Sequence, residues 1–167
     1  PLGERNFMTI MNEVTYLNPK MQETSIVGID QAELFRYPVV YMAEPGFWSL
    51  TDEEASAFGA YLRKGGFVIF DDFAENRGGW NAFETTFHRA LPGARFVDLD
   101  IGHPIVAVVL GSSEQDYYPN KWLVAMVNYN TVISEYWEMS QSGFTPVSET
   151  NEAYKLGVNY VIYGMTH

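Results

Sequence analysis

Apolar residues recur at the spacing of an α-helix in four segments of the chain, which predicts four amphipathic helices. The four apolar stripes are Phe7/Ile10/Met11/Val14, Ala55/Phe58/Leu62, Trp80/Phe83/Phe87/Leu91, and Ala153/Leu156/Gly157/Tyr160/Val161/Gly164. The second helix has the clearest ends, because Thr51 and Glu54 have the spacing of a capping box and Gly65 is a typical stop. Asn151 is the predicted N-cap of the last helix. The start of the chain, residues 1–3, resembles an expression scar and is left out of the fold prediction.

Short continuous apolar runs predict buried β-strands between these helices. The runs are 26–29, 39–42, 67–70, 96–97 with Leu99, and 123–127. A strand at 39–42, a helix at 51–65 and a strand at 67–70 make a βαβ unit, which predicts parallel pairing and a right-handed crossover. We therefore predict that residues 1–167 form a single three-layer α/β domain with a mostly parallel sheet.

The segment 101–122 does not have so simple an interpretation. Its apolar run at 105–110 is followed by small and polar residues, a pattern that fits a strand and a long surface loop. The alternative interpretation is that residues are missing from the sequence in this segment.

Composition narrows the class of function. The chain has 167 residues, a formal net charge of -11 and no cysteine. The negative charge disfavours nucleic-acid binding, and no apolar run approaches the roughly 20 residues that a transmembrane helix needs. The absence of cysteine excludes disulfides, thiolate metal sites and a cysteine nucleophile.

Polar residues follow three predicted strands at the ends where parallel α/β sheets bind ligands. They are Glu44 after 39–42, Asp71 and Asp72 after 67–70, and Asn128 and Asn130 after 123–127. Adjacent strands lie about 4.8 Å apart, so we expect these side chains to converge on one crevice. Such a group suits general acid–base chemistry by Glu44, Asp71 and Asp72, or a divalent cation held weakly by the two aspartates. The alternative is structural, because an Asp at a strand end often caps a loop or helix and Asn tolerates left-handed turns.

Trp48 and His103 are two further candidates for binding a ligand in this crevice. Trp48 ends a loop that follows a predicted strand, where an exposed indole would border a ligand; core packing is the alternative. His103 lies between Gly102 and Pro104 in a predicted loop. The glycine pairs of the chain match neither a P-loop nor a dinucleotide fingerprint. We therefore expect no cofactor beyond a weakly bound divalent cation, and a small molecule or a protein as the partner.

Five segments together resemble the bacterial domain of unknown function 4159 family. They are YPVVYM at 37–42, TDEE at 51–54, GGFVIFDD at 65–72, NYN at 128–130 with SEYW at 134–137, and YKLGVNY at 154–160. The family is similar in fold to class I glutamine amidotransferases, so the resemblance implies a flavodoxin-like α/β layering. Its short members usually begin with an export signal and a further N-terminal strand, and neither is visible here. The resemblance implies a periplasmic or exported bacterial protein, with a cytoplasmic location as the alternative.

The resemblance implies a fold more than an activity. Glutamine amidotransferases carry a Cys on a strand-to-helix elbow, whereas this chain has neither a Cys nor a Gly-x-Ser-x-Gly elbow. We therefore expect an amidotransferase-like domain that binds a ligand or assembles with a protein partner without catalysis. The alternative is a carboxylate- or metal-assisted hydrolase that acts on a sugar or a peptide through Glu44, Asp71 and Asp72.

Overall fold

Helices and strands alternate in the computed structural model, which describes residues 2–21, 24–73, 78–98, 105–110, 123–129 and 131–167. The helices are α1 (Leu2–Val14), α2 (Asp52–Arg63), α3 (Gly78–Ala90), α4 (Ile133–Glu138) and α5 (Val147–Thr166). The strands are β1 (Val39–Ala43), β2 (Phe67–Asp71), β3 (Ala94–Asp98), β4 (Ile105–Leu110) and β5 (Leu123–Asn128). Short 3₁₀ turns span Ala32–Arg36, Pro45–Phe47 and Met139–Gln141.

The five strands form one mixed sheet in the order β1-β2-β5-β4-β3. β2 pairs in parallel with β1, as the predicted βαβ unit requires, and also pairs in parallel with β5. β4 runs antiparallel to both of its neighbours, β5 and β3. Residues 99–104 are too few for a parallel crossover, which takes a dozen or more residues, so β4 must return antiparallel to β3. The predicted parallel sheet is therefore confirmed for β1, β2 and β5 only.

Helices pack on both faces of the sheet and bury β2 from both sides. Val68 and Phe70 of β2 belong to the layer formed with α2 and α3, while Phe67 and Ile69 belong to the layer formed with α1, α4 and α5. The alternation follows from the period-two geometry of a strand. The helix side chains that meet these two faces are Phe58, Leu62, Phe83 and Phe87 on one side and Phe7, Trp137 and Tyr160 on the other. This confirms the predicted α/β class with helices on two faces.

The local signals around α2 are confirmed in detail. The Thr51 hydroxyl accepts a hydrogen bond from the Glu54 N–H (3.2 Å), and the Glu54 carboxylate accepts one from the Thr51 N–H (2.7 Å). Gly65 ends the helix with φ of +96°, a conformation that glycine adopts without a steric penalty. The capping box and stop therefore fix α2 between β1 and β2.

The smooth face of α5 allows close approach, but only in part to the sheet. A Cβ on Gly164 would lie 2.7 Å from both Phe67 and Val39, so this end of α5 lies directly on the strands. A Cβ on Gly157 would lie 2.5 Å from Trp137 and 2.7 Å from Phe7, which belong to α4 and α1. The two glycines thus seat α5 against the sheet and against two helices.

Two local predictions are wrong. Residues 26–29 form no strand; Ile26 is fully exposed, and Val27 and Ile29 pack against the α2–α3 layer from a loop. α5 begins at Val147, directly after the extended Pro146, so Asn151 lies inside the helix and is not its N-cap. Leu2 and Gly3, for which the sequence carries no fold prediction, belong to α1.

The remaining predictions concern the burial of β1 and the segment 101–122. β1 is an edge strand that is only partly buried, because it has a strand on one side and no strand on the other among the described residues. Residues 105–110 form β4, as one interpretation predicted. Leu99 and the ranges 101–104 and 111–122 lie outside the described residues. The alternative that residues are missing from this segment therefore stays a prediction. None of the helices in the described ranges has both the length and the apolar character needed to cross a bilayer.

Candidate functional site

The carboxyl ends of β1, β2 and β5 form one edge of the sheet, because the three strands are parallel. Ala43 at the end of β1 lies opposite Asp71 at the end of β2, and the backbone N–H of Glu44 donates to the Asp71 carbonyl at 3.1 Å. Asn128 is the last residue of β5. The structure therefore brings Glu44, Asp71, Asp72 and Asn128 to the same edge, as their positions after the strands predicted.

Asp71 is fully buried and its carboxylate accepts four hydrogen bonds. One oxygen, Oδ1, accepts from the Asn128 side-chain amide at 3.0 Å and from the backbone N–H of Ile133 at 3.2 Å. The other, Oδ2, accepts from the Tyr41 hydroxyl at 2.8 Å and from the backbone N–H of Ser134 at 3.0 Å. A carboxylate offers about four acceptor positions, so those of Asp71 are all occupied.

Two of these donors identify a structural task for Asp71. Ile133 and Ser134 are the first residues of α4, and the first N–H groups of a helix have no partner within the helix. Val132, which precedes the helix, makes no side-chain capping bond. Asp71 therefore caps α4 from the end of β2, across more than sixty residues of sequence.

Two tyrosines, the buried Tyr160 and the partly exposed Tyr41, complete this group, which we call the inner network (Tyr41, Asp71, Asn128 and Tyr160). The Tyr160 hydroxyl donates to the Asn128 side-chain oxygen at 3.1 Å. Burial raises the pKa of Tyr41 and of Tyr160, and the negative charge of Asp71 raises both pKa values further. Both phenols therefore stay protonated and remain hydrogen-bond donors through the physiological pH range.

A second acidic group, the acidic rim (Glu44, Asp72 and Glu135), lies outside the inner network. Glu44 and Glu135 are exposed and Asp72 is half-buried. Burial raises the pKa of Asp72, and the charges of Asp71, Glu44 and Glu135 raise it further. Glu44 and Asp72 both have left-handed backbone, with φ of 53° and 60°, which is uncommon for residues with a side chain. The rim thus combines repulsion between like charges with backbone strain.

The rim continues into an open cleft of about 660 Å³ between the end of β2, α4 and the start of α5. We call it the α4–α5 cleft; its lining residues are Phe73, Thr131, Val132, Glu135, Tyr136, Phe144, Thr145, Pro146 and Glu149. The Tyr136 hydroxyl donates an exposed hydrogen bond to Glu149 Oε2 at 3.0 Å. Phe144 is 87% exposed, so one aromatic face of the cleft is open to solvent.

The described residues offer little for a metal ion. Within the ranges that the structure describes, no three His, Asp or Glu side chains are grouped so as to hold one. Of the two aspartates proposed as cation ligands, Asp71 already uses both oxygens for hydrogen bonds. Asp72 is the aspartate that belongs to the rim, where the charges of Glu44 and Glu135 raise its pKa.

The other sequence candidates lie elsewhere or outside the described residues. The Trp48 indole packs against Phe58, Phe70 and Phe83, with ring centroids 5.4–5.8 Å apart, so it belongs to the α2–α3 layer. Phe47, beside it in the chain, is the more exposed aromatic of that loop, at 68%. His103 and Asn130 lie outside the described residues.

Sequence reasoning missed the tyrosines of the inner network and most of the cleft. Tyr41 belongs to a predicted apolar strand run and Tyr160 to an apolar helical stripe, and neither pattern takes account of the hydroxyl, although a buried Tyr hydroxyl usually needs a partner. That need is the signal that would have connected them with the polar residues at the strand ends. Glu135, Phe144 and Glu149 come from segments without a periodic pattern, so nothing in the sequence pointed to the cleft they line.

Comparison with known proteins identifies the family. No curated protein matches this chain. One family model, described as a domain of unknown function (DUF4159), matches residues 1–165. Because that match spans nearly the whole chain, the protein belongs to the DUF4159 family of domains of unknown function.

Proposed function

We propose that this domain is a non-catalytic binding module that holds a small molecule or a protein partner at the carboxyl edge of its sheet. The observation that carries the proposal is the set of four hydrogen bonds to Asp71. A general base must accept a proton from its substrate, and a cation ligand must offer a free oxygen. Asp71 would have to release α4, Asn128 or Tyr41 to do either, so the central carboxylate of the edge serves structure.

The lack of cysteine supports the same proposal. Amidotransferase chemistry of the Cys type needs a thiolate nucleophile, and this chain contains no Cys. We also infer that the layering is the flavodoxin-like one of class I glutamine amidotransferases. The parallel β1–α2–β2 unit and the helices on both faces support this inference, while the antiparallel β4 departs from an all-parallel sheet.

The proposal is tested by assaying the purified protein for turnover. The substrates are glutamine, with ammonia release as the readout, a set of p-nitrophenyl glycosides, and a mixed peptide substrate, each with and without Mg²⁺. We expect no turnover above the buffer rate. Turnover that Asp72→Asn abolishes and Glu13→Gln leaves intact would overturn the binding module, because Glu13 is an exposed carboxylate on α1 outside the site.

One observation favours a second candidate, a carboxylate-dependent hydrolase of a sugar or a peptide. The raised pKa of Asp72 is the property that a general acid needs, and Glu44 and Glu135 lie close enough to contribute to it. A hydrolase of this kind predicts a pH–rate profile whose acidic group disappears in Asp72→Asn. Its metal-assisted form also predicts that millimolar Mg²⁺ or Ca²⁺ raises the melting temperature of the wild type but not of Asp72→Asn.

A further inference from the structure

The α4–α5 cleft has two kinds of wall, aromatic and acidic. Its volume of about 660 Å³ lies within the roughly 300–1,000 Å³ typical of ligand sites. Phe144 and Tyr136 provide aromatic surface, while Glu135 and Glu149 provide carboxylates. No Lys, Arg or His is among the described residues that line it.

The carboxylates of the cleft and the rim carry charge that no Lys, Arg or His neutralises within the described ranges. None of Glu44, Asp72, Glu135 and Glu149 forms an ion pair with a Lys, Arg or His in the part of the chain that the structure describes. The Tyr136 hydroxyl donates a hydrogen bond to Glu149, and both residues line the cleft. A bound cation would relieve the repulsion in this region.

An ammonium or guanidinium group matches both walls at once. Cations are attracted to aromatic faces, and carboxylates form their strongest hydrogen bonds with charged donors. The net charge of -11 would also steer positively charged molecules toward the domain. An anionic or purely apolar ligand would have to bury the two carboxylates without supplying a positive charge, which is costly.

The extent of the acidic surface favours a peptide over a single amine. The carboxylates continue from Glu149 and Glu135 in the cleft to Asp72 at the end of β2 and Glu44 at the end of β1. One small cation in the cleft would leave the outer two unmatched, whereas an extended segment with several basic residues would reach them.

We propose that the α4–α5 cleft binds a basic segment of a partner protein, with a Lys or Arg side chain held between Phe144 and the carboxylates of Glu135 and Glu149. The inference rests on the proposed binding function and adds the chemical class of the partner. The basic segment continues along Asp72 and Glu44, so several positive charges contribute to its binding.

The test measures peptide binding by fluorescence anisotropy at constant ionic strength. The probes are a labelled Arg-Gly repeat with three arginines, Glu-Gly and Ser-Gly repeats of the same length, and free spermidine as a competitor. We expect the wild type to bind the Arg-Gly repeat more tightly than the other two. Glu149→Gln and Phe144→Ala should each weaken this binding by roughly tenfold, about the loss of one contact to a charged group. Glu13→Gln, which removes the same charge from an exposed site on α1 that does not line the cleft, should change it less than about twofold.

Each alternative result has a distinct meaning. Equal binding of all three repeats, no binding of the Arg-Gly repeat, or unchanged binding in Glu149→Gln and Phe144→Ala would overturn the basic-segment inference. Tight binding of spermidine with none of the Arg-Gly repeat would overturn it in favour of a small amine, and the binding function would still stand. The turnover assay is independent of the peptide-binding assay. Turnover by the wild type that Asp72→Asn abolishes would overturn the non-catalytic binding function itself, whatever the peptides show. Both cleft substitutions are at exposed positions, and an unchanged melting temperature would verify that each variant is folded.

Discussion

At the carboxyl edge of the sheet, the inner network and the acidic rim lie side by side and treat negative charge in opposite ways. Asp71 is fully buried, yet four donors surround its carboxylate. Asp72, the next residue, is half-buried among like charges and has left-handed backbone. A buried charge is tolerated when its hydrogen bonds are complete, and repulsion is tolerated where solvent screens it.

This difference between the two groups indicates that the inner network serves stability and the acidic rim serves binding. The inner network ties β2, β5, α4 and α5 together, so its loss should affect folding. The rim and the cleft hold charge that no described cation neutralises, so their loss should affect ligands more than folding. Proteins commonly retain such unfavourable groups at binding surfaces, where function requires them. One sequence signal, polar residues after parallel strands, therefore covers two physical roles.

Asp71→Asn should have the largest effect on stability. An amide presents an NH₂ group where the carboxylate had an oxygen, so two of the four donors lose their acceptor. At about 1.5–3 kcal/mol for each hydrogen bond to a charged group, we expect a loss of about 3–6 kcal/mol. Urea unfolding of the wild type and the variant measures it. A loss no larger than that of Asp72→Asn would mean that Asp71 does not hold the edge together.

The sequence predicted which residues lie at the carboxyl edge of the sheet better than it predicted the hydrogen bonds between them. Asp71 and Asn128 stand out because a polar residue directly follows an apolar run, and the capping alternative for Asp71 describes the bonds it makes. The capped helix itself, α4, has only six residues, too short for a periodic pattern to reveal it. Tyr160 is 32 residues from Asn128, and such long-range pairs leave no local trace in one sequence.

The errors in the fold have similar physical origins. An apolar run indicates burial, not the element that supplies it, so 26–29 was predicted as a strand although Val27 and Ile29 pack from a loop. The direction of β4 depends on the connections on either side of it, which apolar runs do not describe. The start of α5 was misplaced because its first turn, 147–150, lies outside the stripe that predicted the helix.

Removing single tyrosine hydroxyl groups compares the stability contributed by the inner network with that contributed by the α4–α5 cleft. Tyr160→Phe should cost about 1–3 kcal/mol, because it leaves the buried Asn128 oxygen without its donor. Tyr41→Phe should cost less, since Tyr41 is 36% exposed and water can replace its hydroxyl beside Asp71. Tyr136→Phe, in the cleft, should change stability by no more than about 0.5 kcal/mol, because its bond to Glu149 is exposed. Thermal unfolding of the three variants checks this order, and an equal cost for Tyr136→Phe and Tyr160→Phe would contradict it.

Asp72→Asn should have the smallest effect, and its sign distinguishes the rim from the inner network. Asn tolerates left-handed backbone as well as Asp does, so the change removes charge without altering strain. Since the pKa of Asp72 is raised in the folded state, the wild type loses stability as the pH rises from the ordinary value of 3.8 through the raised pKa. Above that window the full repulsion is present, and below pH 3.8 the carboxyl is protonated in both states. The variant should therefore be slightly more stable than the wild type at pH 7, by about 0.5 kcal/mol or less, and should lose this advantage in acid.

Asp52→Asn is the matched control, because Asp52 forms a 2.7 Å ion pair with Arg89 and its loss should lower stability at pH 7. If Asp72→Asn is instead destabilised at pH 7, Asp72 also holds the edge together, and the division between inner network and rim is wrong.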